Sequence, residues 1–300
     1  MKQTTRPKLL ITGANGQVGQ ALQLMLNQDK DAEFVATDKE QLNVCDLQQV
    51  KQVIDEVKPD VIIHAAAYTN VEQAELEPEQ AFLVNQLGTE HLAIVSAALD
   101  IPIIYLSTDY VFDGNQFVSY QETDKVCPIN VYGRSKVAGE QAVFQHNPMH
   151  VVVRTSSIFS ASGNNFCRTL LQASKTRNEL QVVADQVSAP TYVMDLVRAL
   201  ICIAKQLIQQ PSNTDKYGTY HYCGATSVSW HALATALFKA QFERNLITSV
   251  PIIKAISAVD YASKVSRPPF SGLTCHKIEQ AFQLKASNWQ AALYEVKFDL

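Results

Sequence analysis

Along the first half of the chain, short apolar blocks alternate with longer stretches in which apolar residues recur every three to four positions. Residues 8–12 form the first block; three glycines follow, and residues 18–27 carry helical spacing, so strand, turn and helix are predicted in that order. Further strands are predicted at 33–37, at 61–65 after the breakers Pro59 and Asp60, and at 103–107 after Pro102. Between the last two, residues 79–100 set Ala81, Phe82, Asn85, Leu92, Val95 and Leu99 close to the helical period, the mark of a long buried helix. A fifth strand fits 150–154, entered from a helix that starts near Tyr132 and stops at Asn147 and Pro148. Strands and helices alternating at these lengths give right-handed parallel crossovers, hence an α/β, Rossmann-like doubly wound sheet.

Beyond Ser160 the rhythm loosens. Loops around 163–165, 186–191 and 211–218, and the pair Pro268 and Pro269, predict a smaller, irregular substrate-binding domain over 156–300. A short run at 219–223 reads as a strand returning to the main sheet, so the dinucleotide-binding domain, 1–155, and the second domain interleave. The sequence carries neither an internal repeat nor a low-complexity tract.

Composition narrows the function. A hydrophobic fraction of 47% and a charged fraction of 18% belong to a globular chain. A formal charge of -4 gives no electrostatic reason to expect nucleic acid or an anionic membrane as ligand, so a small molecule is the expected partner. No apolar stretch approaches the ~18 residues of a membrane span, and the run after the amino-terminal MKQTTRP is too short for a secretion signal. The expected location is cytoplasmic. Cys45, Cys127, Cys167, Cys202, Cys223 and Cys275 lie tens of residues apart, so neither a disulfide framework nor a structural metal is expected.

Gly13, Gly16 and Gly19, spaced by three between the first strand and helix, carry the first chemistry. The first permits a tight turn, the second lets backbone approach a pyrophosphate, and the third lets helix and sheet pack closely, with anionic oxygens at the helix N-terminus. Gly13, Asn15, Gly16, Gln17, Val18 and Gly19 are therefore expected at a dinucleotide. Asp38, nineteen residues past Gly19, is placed to accept hydrogen bonds from an adenosine ribose and repels a 2′-phosphate. Lys39 offsets part of that repulsion, which leaves the choice between NADH and NADPH open. Asp46 and Leu47 are expected near the adenine, against the ordinary reading of a loop aspartate as a turn residue.

The fourth strand ends in Ser107 and Thr108; Tyr132 follows 24 residues later, and Lys136 lies four further on, on the same helix face. A phenol with a pKa of ~10 is a poor proton-transfer group at neutral pH, and reaching ~7 takes about 4 kcal/mol. A neighbouring ammonium and the positive nicotinamide ring are expected to supply it. Tyr-x-x-x-Lys alone is a frequent chance match. At the carboxyl end of a parallel sheet, behind a nucleotide-binding turn, it predicts catalysis.

These motifs, with His64 to Thr69 (HAAAYT), Ser107 to Gly114 (STDYVFDG), Asn130 to Gly133 (NVYG), Lys136 to Glu140 (KVAGE), Val153 to Ser156 (VRTS), Ala189 to Thr191 (APT) and Arg267 to Leu273 (RPPFSGL), resemble the dTDP-4-dehydrorhamnose reductase family of extended short-chain dehydrogenases/reductases over about 8–293. The resemblance implies NADH- or NADPH-dependent reduction of the C4 ketone of dTDP-4-dehydro-L-rhamnose to dTDP-L-rhamnose. Carried over, Tyr132 protonates the C4 oxygen, Lys136 holds the nicotinamide ribose and lowers the phenol pKa, and Thr108 hydrogen-bonds the ketone. Asp109, Tyr110 and Val111 line the sugar pocket; Ala65, Ala66, Ala67 and Thr69 run beside the cofactor; Arg267 takes the diphosphate. Gln186, Pro190 and Thr191 shape the loop over the substrate. Asn85 has an equal structural reading, as a buried group fixing the sheet end, and Trp230 and Trp289 are expected in the core. Some relatives place a divalent ion, such as Mg2+, at a dimer contact, so a homodimer and a metal are implied, with no ligands assigned among the scattered His64, His91, His221 and His231.

The chain departs from the family pattern at Ser157, where relatives usually carry a tryptophan beside the sugar. Losing that wall costs about 1–3 kcal/mol of contact or changes which sugar fits. Glu72 stands where the family tends to carry aspartate. Two alternatives remain at this point. One is a non-catalytic, dinucleotide-binding regulatory subunit resembling the methionine adenosyltransferase beta subunit, against which Thr108, Tyr132 and Lys136 stand. The other is a sister reductase, epimerase or dehydratase on another nucleotide sugar, although no Asp-Glu pair follows Thr108 as a dehydratase would have.

Overall fold

Period-two alternation decides the architecture. On β1 (Lys8–Thr12), Leu9 and Ile11 enter one core cluster and Leu10 the opposite one; on β3 (Val61–His64), Val61 and Ile63 separate from Ile62 in the same way. β4 (Ile103–Thr108) and β5 (His150–Thr155) repeat the division, so the sheet is apolar on both faces and needs helices on both. The computed structural model describes residues 6–29 and 31–299; the first five residues of the segment judged too short for a secretion signal lie outside it. With β2 (Glu33–Thr37) and a strand at Gly218–His221, the six strands run parallel in the order β2-β1-β3-β4-β5-(Gly218–His221). One face is covered by α1 (Gln17–Leu26) and the Val193–Gln209 helix, the other by α2 (Leu47–Val57) and the Gly88–Ala98 and Val131–His146 helices.

Two departures from the sequence reading shape the site. β3 ends at His64, and Ala65 to Thr69 leave the sheet as a loop. The long helix is not regular: Pro78–Phe82 and Gly88–Ala98 are α-helical, but Leu83–Leu87 forms a π turn. Asn85 lies inside that turn and is buried, as its spacing predicts, while Leu99, expected in the core, caps the end of the Gly88–Ala98 helix and is 52% exposed. The Val131–His146 helix lies hard against β4, since a Cβ on Gly139 would sit 2.2 Å from the Tyr105 hydroxyl.

Past β5 the chain forms two-stranded pairs, Ile158–Phe159 with Thr191–Tyr192 and Glu179–Val183 with Ile252–Ile256, around a separate apolar cluster. Trp289 is in that cluster, its indole N–H donating to Thr226; Trp230, expected there too, sits at its edge against Phe166. All six cysteines are free, yet the buried sulfurs of Cys223 and Cys275, 52 residues apart, meet at 3.6 Å. Among the described residues no helix is long and apolar enough to cross a membrane.

Candidate active site

The carboxyl ends of the parallel strands open into a cleft of about 780 Å³. Its floor is the glycine turn. Gly13 adopts φ +79°, and a Cβ there would lie 2.7 Å from the Ala66 amide nitrogen, so the turn and the loop after β3 need glycine to come this close. Gly19 serves packing instead: its Cβ would fall 2.1 Å from the Gly13 carbonyl oxygen, and it is absent from the cleft wall, which Gly13, Asn15, Gly16, Gln17 and Val18 share. Asp38 stands at the far end, accepting from the Glu40 and Gln41 N–H groups and the Asn15 amide, bonds that hold its carboxyl below the usual range. Asp46 and Leu47 are not on the wall. Asp46 caps α2 through the Gln48 and Gln49 N–H groups and Leu47 packs on the core, so the turn reading describes them and Leu42, Asn43, Val44 and Cys45 line this end.

At the other end the cleft brings together Thr108, Tyr132, Lys136 and a residue the sequence reading passed over, Thr155. Lys136 is 2% exposed and its Nζ lies 4.0 Å over the Tyr105 ring. Burial drives its pKa down to about 7, with Glu140 one turn on pulling the other way. The phenol moves opposite to the lowering expected from sequence. Burial, with the Asp109 charge adding to it and contact with the Thr108 hydroxyl opposing it, pushes Tyr132 up to about 12. A lysine that is itself only about half protonated at pH 7 supplies too little positive charge to outweigh that burial. Thr155 pairs in register with Thr108, and its buried Oγ1 has no hydrogen-bond partner among the described residues. Tyr110 and Val111, expected in the sugar pocket, lie off the cleft wall: Tyr110 packs edge-on against Tyr132 with ring centroids 5.9 Å apart, and Val111 is core.

Buried polar networks hold these groups in place. Arg154 donates from Nε and Nη2 to the two oxygens of Glu140 at 2.8 and 2.7 Å, and Ser107 donates to Glu140 at 2.5 Å. Asp109 accepts from the hydroxyls of Thr108, Ser156 and Ser271. Asn85, within the π turn, accepts from the Tyr68 N–H at 2.8 Å and donates to the Tyr68 carbonyl and Ser135 hydroxyl. That fixes the Ala65–Thr69 loop, whose residues all face the cleft, and gives Asn85 a structural role.

Beyond β5, Ser157 borders the cleft in the left-handed region at φ +46°, and its hydroxyl meets that of Ser188 at 2.8 Å. Thr191 holds this turn by donating to the Ser156 carbonyl oxygen. Gln17 accepts from Ser160 and donates to the Asn164 carbonyl, tying the glycine turn to the same segment. Arg267 is outside the main cleft. It pairs with Glu72 at 3.4 Å and borders a second cavity of about 240 Å³ with Phe166, Gln186, Trp230 and Tyr261. Its buried Nε has no partner among the described residues. The described residues hold no group of three or more His, Cys, Asp or Glu suited to a metal ion, and no chemistry is routed through one. The glycine cradle and elongated cleft do fit a dinucleotide.

A family model described as the RmlD substrate binding domain matches residues 7–299. The dTDP-4-dehydrorhamnose reductase of Aggregatibacter actinomycetemcomitans is 42% identical over 290 residues, covering 97% of this chain and 98% of its own. The chain belongs to the dTDP-4-dehydrorhamnose reductase family. Another dTDP-4-dehydrorhamnose reductase, from Sinorhizobium fredii, is 40% identical over 284 residues, 94% of each chain. The crystal structure of the Bacillus anthracis dTDP-4-dehydrorhamnose reductase in complex with NADP superimposes with a TM-score of 0.87 at 35% identity, covering 97% of this chain and 98% of that one. The reductase family fold thus runs through both the parallel sheet and the irregular second half.

Proposed function

We propose that the protein reduces the C4 ketone of dTDP-4-dehydro-L-rhamnose to dTDP-L-rhamnose, with Tyr132 as proton donor and NADPH or NADH as reductant. The observation that carries this reading is the convergence of Tyr132, Lys136 and Thr108 on the same cleft as the glycine cradle. When bound, the nicotinamide supplies the hydride to C4. With a pKa near 12, Tyr132 holds its proton throughout the neutral range and is in the acid form a reduction needs. As it gives that proton to the C4 oxygen, Lys136 is the cation placed to offset the phenolate. The second cavity offers Phe166, Trp230 and Tyr261 for a base and Arg267 for a diphosphate. Purified protein mixed with the 4-keto sugar nucleotide should consume NADPH or NADH, read as loss of nicotinamide absorbance; no consumption with either overturns the proposal.

Two further results are expected. Lys136 loses its proton near pH 7, and anionic phosphates together with the ribose hydroxyls favour the ammonium, so binding should take up protons above pH 7 and weaken as pH rises through that value. Calorimetry at pH 8 in two buffers of different ionisation heat measures the uptake; identical heats would show Lys136 uninvolved. Asp38→Ser removes a fixed negative charge from the ribose end and should shift preference severalfold toward NADPH, read as the ratio of kcat/KM for the two cofactors.

A further inference from the structure

Arg267 reaches the second cavity with most of its hydrogen-bonding capacity unused. A guanidinium carries five N–H donors in a fixed fork. Among the described residues, Arg267 makes a single polar side-chain contact, from Nη2 to the Glu72 carboxylate at 3.4 Å, and its buried Nε has no partner. The Glu72 side chain is 57% exposed and that of Arg267 27%. Neither backbone depends on this contact. Asn130 donates to the Ser266 carbonyl at 3.0 Å and so holds the chain beside Arg267. Glu75, on the same face as Glu72 of the short helix Val71–Leu76, accepts from the Val131 N–H at 2.7 Å and ties that helix to the one carrying Tyr132. Burial and the Asp109 charge raise the Tyr110 phenol and the Arg267 charge opposes them, which sets the guanidinium between the second cavity and the ring packed on Tyr132.

We infer that Glu72 is a resting counter-ion for Arg267, which the diphosphate of the sugar nucleotide displaces on binding, so that Glu72 sets how tightly the site takes its substrate. This rests on the diphosphate reading of Arg267 given above. A diphosphate offers oxygens that fill two arms of the fork at once, whereas the Glu72 carboxylate meets one N–H. Left in place, that carboxylate would face the like charge of the ligand. Turning it away costs little, because more than half of the side chain already lies in water. An internal competitor weakens the ligand by no more than its own contact is worth, and for an exposed pair of this kind that is at most about fivefold.

The test titrates thymidine diphosphate calorimetrically into wild type, Glu72→Gln, Arg267→Gln and the double variant. Displacement predicts that Glu72→Gln binds the diphosphate about threefold tighter than wild type. Arg267→Gln should bind it about tenfold weaker, and adding Glu72→Gln to that variant should bring no further gain, because the contact being competed for is gone. Unchanged or weaker binding by Glu72→Gln overturns the inference, the weaker result meaning that the carboxylate holds Arg267 ready for its ligand. The same threefold gain with and without Arg267 also overturns it, since that pattern is plain repulsion between Glu72 and the diphosphate. Thymidine diphosphate that fails to bind wild type, or binds wild type and Arg267→Gln alike, removes the diphosphate site itself and this inference with it.

Discussion

Replacing Tyr132 with phenylalanine is expected to lower kcat about 100- to 10,000-fold, the range a positioned proton donor contributes. Lys136 lies buried over the Tyr105 ring, and the Thr108 proton is directed at Asp109. The phenyl ring retains the edge-on contact with Tyr110, so the pocket keeps its shape and the dissociation constant for NADPH, read by fluorescence titration, should stay within about threefold of wild type. A variant with wild-type turnover would remove the proton donor from the proposed reaction.

Glu140→Ala is expected to cost about 3–5 kcal/mol of stability, since it leaves the Arg154 guanidinium charged and unpaired in the interior. Arg154 is 4% exposed, its two bonds to Glu140 are its charge-neutralising contacts, and its remaining neighbour, His221, is buried with its pKa held down to about 3 and cannot replace a carboxylate. Denaturant unfolding measures the loss. Replacing both members of the pair with apolar residues of similar size should recover much of it. A single variant as stable as wild type would mean that the guanidinium reaches water by some other path.

Sequence was a good guide wherever one local rule settled the outcome. Apolar blocks of strand length between breakers placed β1 to β5 within a residue or two; β1, β3, β4 and β5 are buried on both faces, while β2 is a largely exposed edge. The glycine turn was legible because close approach to Ala66 admits no side chain. What escaped depended on contacts between distant segments. Pattern gives no sign of the π turn at Leu83–Leu87, although spacing already put Asn85 on the buried face; Leu99 is exposed because the helix ends there. The pKa of Tyr132 was read from its partner Lys136 without the burial that moves both groups. Thr155 had a usable signal, a hydroxyl ending a strand beside Thr108, and the same logic that selected Thr108 would have found it. The reading of Arg267 rests on its motif and the forked geometry of its guanidinium, and its position beside a second cavity needed the fold of 166–186 and 230–263.

The Gly218–His221 strand pairs with β5, and the Val193–Gln209 helix packs on α1 and β3. A truncated chain ending at residue 155 would therefore present β5 as a raw edge and leave Leu9, Ile11 and Ile63 with only the part of their cover that α1 supplies. During synthesis the amino-terminal half must wait, part-assembled and prone to self-association, until the ribosome has delivered residue 221.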